Sequence, residues 1–291
     1  MSEKRIDGKA IAKRIEEKVA ADVARLRAGG VEPRLVSVAL GEEDPSFASY
    51  LRAREAACAR VGILSGAETV PLASGERGLL SALARLGDDP AVHGILLKLP
   101  LPPGLPEEAV FSRIDPGKDI EGLHPLNAGL LALGRPRFVP CTALAVVEIL
   151  AAEGIPLEGK HAVILGRSRV VGAPLASLLL RKGTDATVTV CHSRTRDLPL
   201  FARQADLLVA AVGKPEFVTG EWVRPGAVVV DVGTHSVEDP GSKKGWRLTG
   251  DVHYPSAETA SSRITPVPGG VGPVTTALLL RATARAAGGA Q

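Results

Sequence analysis

A short apolar run at residues 162–165 is followed by Gly166-Arg167-Ser168-Arg169-Val170-Val171-Gly172, and then by a helical pattern over residues 173–181. Glycines in such a turn let the backbone approach a phosphate, and the helix N-terminus supplies unsatisfied N–H donors and a positive dipole end. This is the chemistry of a dinucleotide cradle. The spacing is not G-x-G-x-x-G, because Ser168 holds the second glycine position and Val171 the third. On its own the segment reads equally as a plain strand–turn–helix. The next strand end adds a second clue. Where an NAD site carries Asp or Glu for the ribose hydroxyls, this chain has Cys191-His192-Ser193-Arg194-Thr195-Arg196. A carboxylate would repel a 2′-phosphate, whereas Ser and Arg can bind one, so NADP is favoured over NAD. The alternative is that Arg194 and Arg196 belong to an ordinary solvated loop.

Three further loops stand where a parallel sheet would present ligand groups: Val212-Gly213-Lys214-Pro215, Asp231-Val232-Gly233 and Pro268-Gly269-Gly270-Val271-Gly272-Pro273. Ligands in open α/β sheets bind outside the carboxyl ends of the strands. The last loop reads either as close backbone approach to a ligand or as a structural turn, with Pro273 expected at the first helical position. One amine also stands apart. The chain has 11 Lys and 24 Arg, and Lys98 is the only lysine between Lys18 and Lys118. It lies near the carboxyl end of an expected strand, residues 94–99, on the opposite face from Ile95, Leu97 and Leu99.

The elements that must hold these groups alternate. Strands are expected at 35–40, 68–72 and 94–99, with helices at 46–60 and 77–86. Thr142 is expected to N-cap a helix running to 153. A second alternation follows, with strands at 162–165, 186–191, 205–212 and 227–232, and a last helix at 274–287. Alternation of this kind implies βαβ units, mostly parallel sheets and two α/β domains. The 291 residues are 45% apolar but only 3% aromatic, so Ala, Val and Leu must fill the cores. A net charge of +3 without a basic block argues against a nucleic-acid partner. No apolar run approaches the ~18 residues of a membrane span, and the charged N-terminus does not read as a signal peptide. Cys58, Cys141 and Cys191, odd in number and widely spaced, suggest neither disulfides nor a metal knuckle and point to a reducing cytoplasm.

Taken together, the motifs resemble the bifunctional methylenetetrahydrofolate dehydrogenase/cyclohydrolase family over nearly the whole chain. The likeness is carried by Tyr50, Leu99-Pro100-Leu101-Pro102, Lys118-Asp119-Ile120-Glu121-Gly122, His124-Pro125-Leu126-Asn127 and Pro140-Cys141-Thr142. It continues through Gly166-Arg167-Ser168, Val171-Gly172-Ala173-Pro174, Cys191-His192-Ser193, Asp231-Val232-Gly233 and residues 265–273. The resemblance implies a catalytic, folate-binding domain over residues 1–140, with helix 273–291 packing back on it. It implies a Rossmann-type NADP domain over 141–272, a cleft between the two, and a cytoplasmic homodimer acting on tetrahydrofolate derivatives. The implied reactions are NADP-dependent oxidation of 5,10-methylene- to 5,10-methenyltetrahydrofolate and hydrolysis of the latter to 10-formyltetrahydrofolate, with no metal. It matches Arg167 and Ser193 to groups holding the 2′-phosphate. The wider cofactor set it implies is Thr142, Gly166, Ser168, Val171, Val212, Gly213, Gly233, Thr234 and Gly270. For the folate it implies Tyr50, Leu99, Pro100, Glu121, Pro268 and Gly269.

This chain departs from the family pattern at the chemistry. The family's Tyr-x-x-x-Lys reads Tyr50-Leu51-Arg52-Ala53-Arg54, the usual glutamine before the Leu-Pro-Leu-Pro motif is Lys98, the folate-binding aspartate is Glu121, and the usual serine before the tyrosine is Phe47. The i, i+4 spacing keeps residues 50 and 54 on one helical face. Lysine can exchange a proton near neutral pH when its surroundings are arranged for it; arginine, with a pKa above ~12, cannot. The expected catalytic set is therefore Tyr50, Arg54, Lys98 and Glu121, with Lys98 supplying the amine that residue 54 usually supplies. The alternative for Lys98 is pairing with Glu121 or solvent. For the protein the alternatives are a dehydrogenase with weakened or lost cyclohydrolase, another two-domain NADP dehydrogenase, and a binding relative without turnover.

Overall fold

The computed structural model describes residues 3–41, 45–242 and 244–289, with the backbone alone over 45–50. The Phe47 and Tyr50 side chains therefore lie outside what is described. The helices are α1 (Gly8–Ala28), α2 (Pro45–Val61), α3 (Gly75–Asp88), α4 (Glu107–Arg113), α5 (Pro125–Ala132), α6 (Cys141–Ala152), α7 (Gly172–Leu180), α8 (Leu198–Ala202), α9 (Tyr254–Ala260) and α10 (Val271–Ala287). The strands are β1 (Arg34–Leu40), β2 (Leu64–Val70), β3 (Gly94–Leu97), β4 (His161–Leu165), β5 (Thr187–Cys191), β6 (Leu207–Ala210), β7 (Val228–Asp231), β8 (His235–Glu238), β9 (Trp246–Thr249) and β10 (Arg263–Ile264). The chain divides into two compact units: Met1–Ala12 with Thr142–Thr275, and Lys13–Cys141 with Thr276–Gln291.

The first unit is built on a parallel five-stranded sheet in the order β10-β7-β6-β4-β5. The chain starts it in the middle at β4, steps out to β5 at one edge, and returns past β4 to β6. Numbered within the unit the order is 2-1-3-4-5, a doubly wound sheet whose switch point falls between β4 and β6. Burial follows from that placement. The inner strands β6 and β7 are buried at every residue and β4 at all but its first, as continuous apolar runs covered on both faces must be. The edge strand β5 buries only Cys191 fully. Small aliphatic side chains fill the core, among them Val163, Leu208, Ala210, Val229 and Ile264.

The second unit carries a parallel three-stranded sheet, β2-β1-β3. Central β1 buries six of its seven residues, whereas edge strand β2 buries only Val70. Strand β3 is buried throughout. Val92 just before β3 and Ile95, Leu96 and Leu97 within it each keep 5% exposure or less.

Several expected boundaries move, each for a visible reason. Helix α6 begins at Cys141, so Thr142 stands inside its first turn and does not cap it; Pro140, which has no N–H to satisfy, precedes the turn instead. Helix α10 begins at Val271, which makes Pro273 its third residue, still within the turn whose N–H groups have no helical partner. Strand β2 starts at Leu64 and ends before Pro71, which cannot donate to a ladder. Strand β3 stops at Leu97; the Lys98 N–H still donates to the Val38 carbonyl at 2.8 Å, and the chain then leaves through the cis Leu99–Pro100 peptide. The β8–β9 antiparallel hairpin was not expected from the sequence, nor was α1.

Candidate functional site

In the first unit the phosphate turn is tight because backbone packs on backbone. Gly166 has φ 127°, and a Cβ there would lie 2.1 Å from the Ala211 carbonyl oxygen at the end of β6. A Cβ on Gly172 would lie 2.0 Å from the Gly166 oxygen, so these two glycines let β4, the turn and α7 close on one another. The Ser168 hydroxyl accepts the Val171 N–H at 3.2 Å and braces the turn from inside. Beside it opens a cavity of about 270 Å³, lined by Gly166, Arg167, Ser168, Cys191, His192, Ser193, Val212, Lys214 and the apolar walls Leu165, Leu198, Ala211 and Phe217. It lies at the sheet's switch point, where doubly wound folds bind nucleotides. Two cations and no carboxylate line it, and the Lys214 amine lies 5.1 Å from the Phe217 ring centre. The cradle therefore fits a dinucleotide with a 2′-phosphate better than one recognised through a ribose-binding acid.

The loop after β6 is held by a carboxylate that sequence reasoning missed. Asp251, fully buried, accepts the N–H groups of Val212 (2.6 Å), Gly213 (3.0 Å) and Lys214 (3.0 Å), and its Oδ1 lies 2.7 Å from His235 Nε2. This takes the Val212 N–H out of the ladder, and β6 ends at Ala210 instead of at Val212 as expected. Asp251 is itself placed by Asp231, which ends β7 and accepts the N–H groups of Asp251, Val252 and Gly233. Burial pushes the Asp231 carboxyl up to about 6 against these hydrogen bonds. The neighbouring glycines make room for the acids. A Cβ on Gly233 would lie 2.4 Å from Asp251 Oδ1, and one on Gly250 would lie 1.9 Å from Asp231 Oδ2. Thr234 beside them is exposed. In the last loop Pro268 is exposed and Gly269 and Gly270 are buried, with cis Val267–Pro268 before them. The close approach there is to the chain itself, since a Cβ on Gly270 would meet the Pro266 oxygen at 2.5 Å.

In the second unit the segment 118–122 is an assembly of anchors around one carboxylate. The Lys118 amine donates to the carbonyls of Leu86 (3.2 Å), Gly87 (2.6 Å) and Asp89 (2.6 Å), closing the C-terminal end of α3 as a cation should. Buried Asp119 accepts from Leu123 N, His124 N and Asn127 Nδ2, and its backbone bridges Ile95 of β3. Gly122 takes φ 64°, with the Phe138 oxygen 2.8 Å from where a Cβ would stand. Between these anchors stands Glu121, half-buried. Burial, with a smaller push from the Asp119 charge, raises its pKa to about 8. Raised from 4.5, it binds a proton more readily folded than unfolded, so its contribution to stability is complete below pH 4.5 and is lost as pH rises through 8. Glu121→Gln, which keeps the uncharged shape, is expected to flatten the fall in stability between those pH values; equal slopes in urea titrations of the two proteins would refute the raised pKa.

Of the other expected catalytic residues, Arg54 lies on α2 with its side chain 2% exposed. Its charge pulls the Cys58 thiol down, although burial dominates and leaves that thiol raised overall. Lys98 and Leu99 are half-buried at the end of β3 and Pro100 is exposed. Thus Arg54, Lys98, Leu99, Pro100 and Glu121 belong to one unit. Gly166, Arg167, Ser168, Ser193 and Val212 come together around the nucleotide cavity of the other; Gly213 does not line it but is held with the loop by Asp251, against which Gly233 packs. Val171, buried, closes the phosphate turn through its N–H. Among the described residues no group of three or more His, Cys, Asp or Glu is arranged to hold a metal ion.

A parallel sheet with a glycine phosphate turn at its switch point defines an α/β nucleotide-binding protein, here joined to a second α/β unit. Residues 6–121 match the family model for the tetrahydrofolate dehydrogenase/cyclohydrolase catalytic domain, and residues 140–291 match that for the tetrahydrofolate dehydrogenase/cyclohydrolase NAD(P)-binding domain. The chain belongs to this family. It is 47% identical over 283 residues to bifunctional protein FolD 1 of Myxococcus xanthus, covering 97% of each chain. It is 47% identical over 296 residues to bifunctional protein FolD of Rhodopirellula baltica, covering 97% of this chain and 96% of the relative. Among solved structures it resembles the Campylobacter jejuni bifunctional FolD methylenetetrahydrofolate dehydrogenase/cyclohydrolase at 39% identity and TM-score 0.91, with 98% of each chain covered. The Trypanosoma brucei enzyme, crystallised with NADP and an inhibitor, is 41% identical with TM-score 0.90, covering 97% of this chain and 96% of that one.

Proposed function

We propose that this protein oxidises 5,10-methylenetetrahydrofolate to 5,10-methenyltetrahydrofolate with NADP and hydrolyses the product to 10-formyltetrahydrofolate. In this reading residues 1–140 with 273–291 bind the folate and residues 141–272 bind NADP. The observation that carries it is the switch-point cavity, lined by Arg167, Lys214, Ser168 and Ser193 and by no acid, in a chain of this family. NADP, when bound, supplies the acceptor for the hydride leaving the methylene carbon. The protein's part in that step is positioning: Gly166 and Gly172 bring backbone to the pyrophosphate, Arg167 and Ser193 take the 2′-phosphate, and Thr142, Val212, Thr234 and Gly270 bound the remainder. On the folate side Glu121 as carboxylate accepts two hydrogen bonds from the pterin edge. Leu99 and Pro100 form a wall of its site and Tyr50 orients the ring.

Hydrolysis asks for more, because water must lose a proton as it attacks the methenyl carbon. Arg54 is a fixed cation that can polarise the substrate but cannot take that proton. Lys98 is the amine assigned to the transfer. The same family likeness extends the reading to a cytoplasmic homodimer. No described helix is long and apolar enough to cross a membrane.

One spectroscopic assay on one sample tests both activities: methenyl formation with NADP, then methenyl decay. Failure to oxidise the substrate with NADP or NAD would point to a different small substrate, and tight binding without turnover to a relative that has lost its chemistry. Because Glu121 titrates near 8 before ligand arrives and the pterin needs the carboxylate, the KM for the folate is expected to fall several-fold from pH 7 to pH 8. A KM that stays flat over that interval would remove Glu121 from the folate contacts.

A further inference from the structure

Three successive backbone N–H groups converging on one point form a nest for an anion. In the first unit such a nest exists at the mouth of the nucleotide cavity, in Val212, Gly213 and Lys214, and its occupant is part of the chain: the Asp251 carboxylate, with no solvent exposure. Two of these three residues, Val212 and Lys214, line the cavity. Asp251 lines none of it. Its remaining partner is His235 on β8, also outside the lining, and its own N–H is held by Asp231.

We propose that Asp251, braced by His235, is a positioning residue for the cofactor: it fills the N–H nest after β6 and so sets the loop that carries Val212 and Lys214 against the bound nucleotide. The proposal rests on the NADP reading above. The geometry favours this role over simple core packing because three of the four donors come from consecutive residues of one loop, two of which line the cavity. That loop lies 37 to 39 positions away in sequence, so no local turn chemistry holds it. Without Asp251, three N–H groups facing the interior would lose their acceptor together, which favours a different loop conformation over an unsatisfied one. Asp231 adds a second step: by binding Asp251 N and Val252 N it fixes where the Asp251 side chain starts, and the absence of a Cβ at Gly233 leaves the carboxylate its place.

The test uses the full chain and two variants, Asp251→Asn and His235→Ala. Asparagine keeps the shape but turns an amide N–H2 toward N–H donors; alanine removes the brace and leaves the carboxylate. NADPH binding is read by its fluorescence, with kcat and both KM values measured at saturating partner substrate, and backbone hydrogen exchange at 212–214 is followed without cofactor. The expected result is a rise in the NADPH Kd of tenfold or more for Asp251→Asn and of about threefold for His235→Ala. kcat and the folate KM should stay within twofold, and exchange at 212–214 should quicken in the same order. A merely structural role would lower the melting temperature and the active fraction and leave the Kd of the folded fraction unchanged, and that outcome overturns the proposal. Should Asp251→Asn not fold, His235→Ala decides alone: an unchanged Kd and unchanged exchange overturn it. If the unaltered protein binds no NADPH, the NADP reading itself fails. Binding by the unaltered protein with equal binding by the variants refutes only the positioning role.

Discussion

Replacing Lys98 by glutamine is expected to lower hydrolysis of 5,10-methenyltetrahydrofolate by on the order of a hundredfold, the usual worth of a positioned acid–base group, while NADP-dependent oxidation falls by less than about tenfold. The asymmetry follows from what each step asks of the protein. Hydride transfer needs the two reactants held in line and the positive charge that develops on the folate stabilised, and neither demand calls for a group that exchanges a proton. Attack by water needs a group that accepts a proton and returns it. Among the side chains assigned to the folate, a guanidinium cannot do so, and Glu121 is committed to the pterin edge. The position of Lys98 fits the task. It is the first residue beyond the buried strand β3, its backbone still tied to Val38, so its Cα is as fixed as the sheet while its side chain is half-buried. Glutamine keeps a polar side chain there and removes the amine. The measurement is decay of methenyl absorbance in the absence of NADP, beside the forward oxidation rate on the same preparation. Unchanged decay would refute the swap. A converse variant sharpens the result: Arg54→Lys in the Lys98→Gln background is expected to recover part of the lost hydrolysis, because it returns the amine to the helix position the family uses.

How much of this was legible beforehand depends on whether the cause is local. The phosphate turn was legible because strand, glycine and helix are neighbours in sequence and each leaves its own pattern. Helix α1 is equally legible, since Ile11, Ile15, Val19 and Val23 recur every four residues and all are buried. The β8–β9 hairpin left little signal: His235–Glu238 and Trp246–Thr249 alternate weakly and bury only Thr249 fully. Segment 118–122 was recognised as a motif, but its division of labour was hidden. That Lys118 closes α3 and Asp119 holds the N–H groups of Leu123 and His124 just ahead of α5 depends on carbonyls about thirty residues upstream and on donors downstream. The same holds for Asp251, three of whose four partners are backbone atoms that carry no residue identity. A sequence motif names the acid; only the fold shows what it accepts. The expected cap at Thr142 failed for the opposite reason, because a local rule was applied where Pro140 had already started the helix.

The Gly172→Ala substitution carries the second large effect, and it separates two meanings of glycine in this chain. At Gly172 the added methyl would sit 2.0 Å from the Gly166 oxygen, 2.6 Å from its carbon and 2.8 Å from Arg167 Cα. All three are backbone atoms of the phosphate turn, so relief requires moving the turn or lifting the N-terminus of α7 from it. Overpacking of this kind costs about 3 kcal/mol, or a drop of about 10 °C in melting temperature for a unit of this size. The functional loss should be larger than the thermal one, because the atoms that must move are those that cradle the pyrophosphate. The NADP Kd is expected to rise by on the order of a hundredfold, since removing well-placed charge-assisted donors costs a few kcal/mol. Gly129 in α5 gives the control of opposite sign. It has no neighbour within 4 Å of a Cβ and does not take a positive φ, so Gly129→Ala is expected to stabilise the protein by about 0.5–1 kcal/mol and to leave NADP binding alone. Calorimetric melting of both variants with and without NADP reads the contrast. If Gly172→Ala loses heat stability but still gains the full NADP-induced shift, the turn is a packing device and not the cradle; if it loses both, the glycine that lets the strand, turn and helix close is also the one that makes the site.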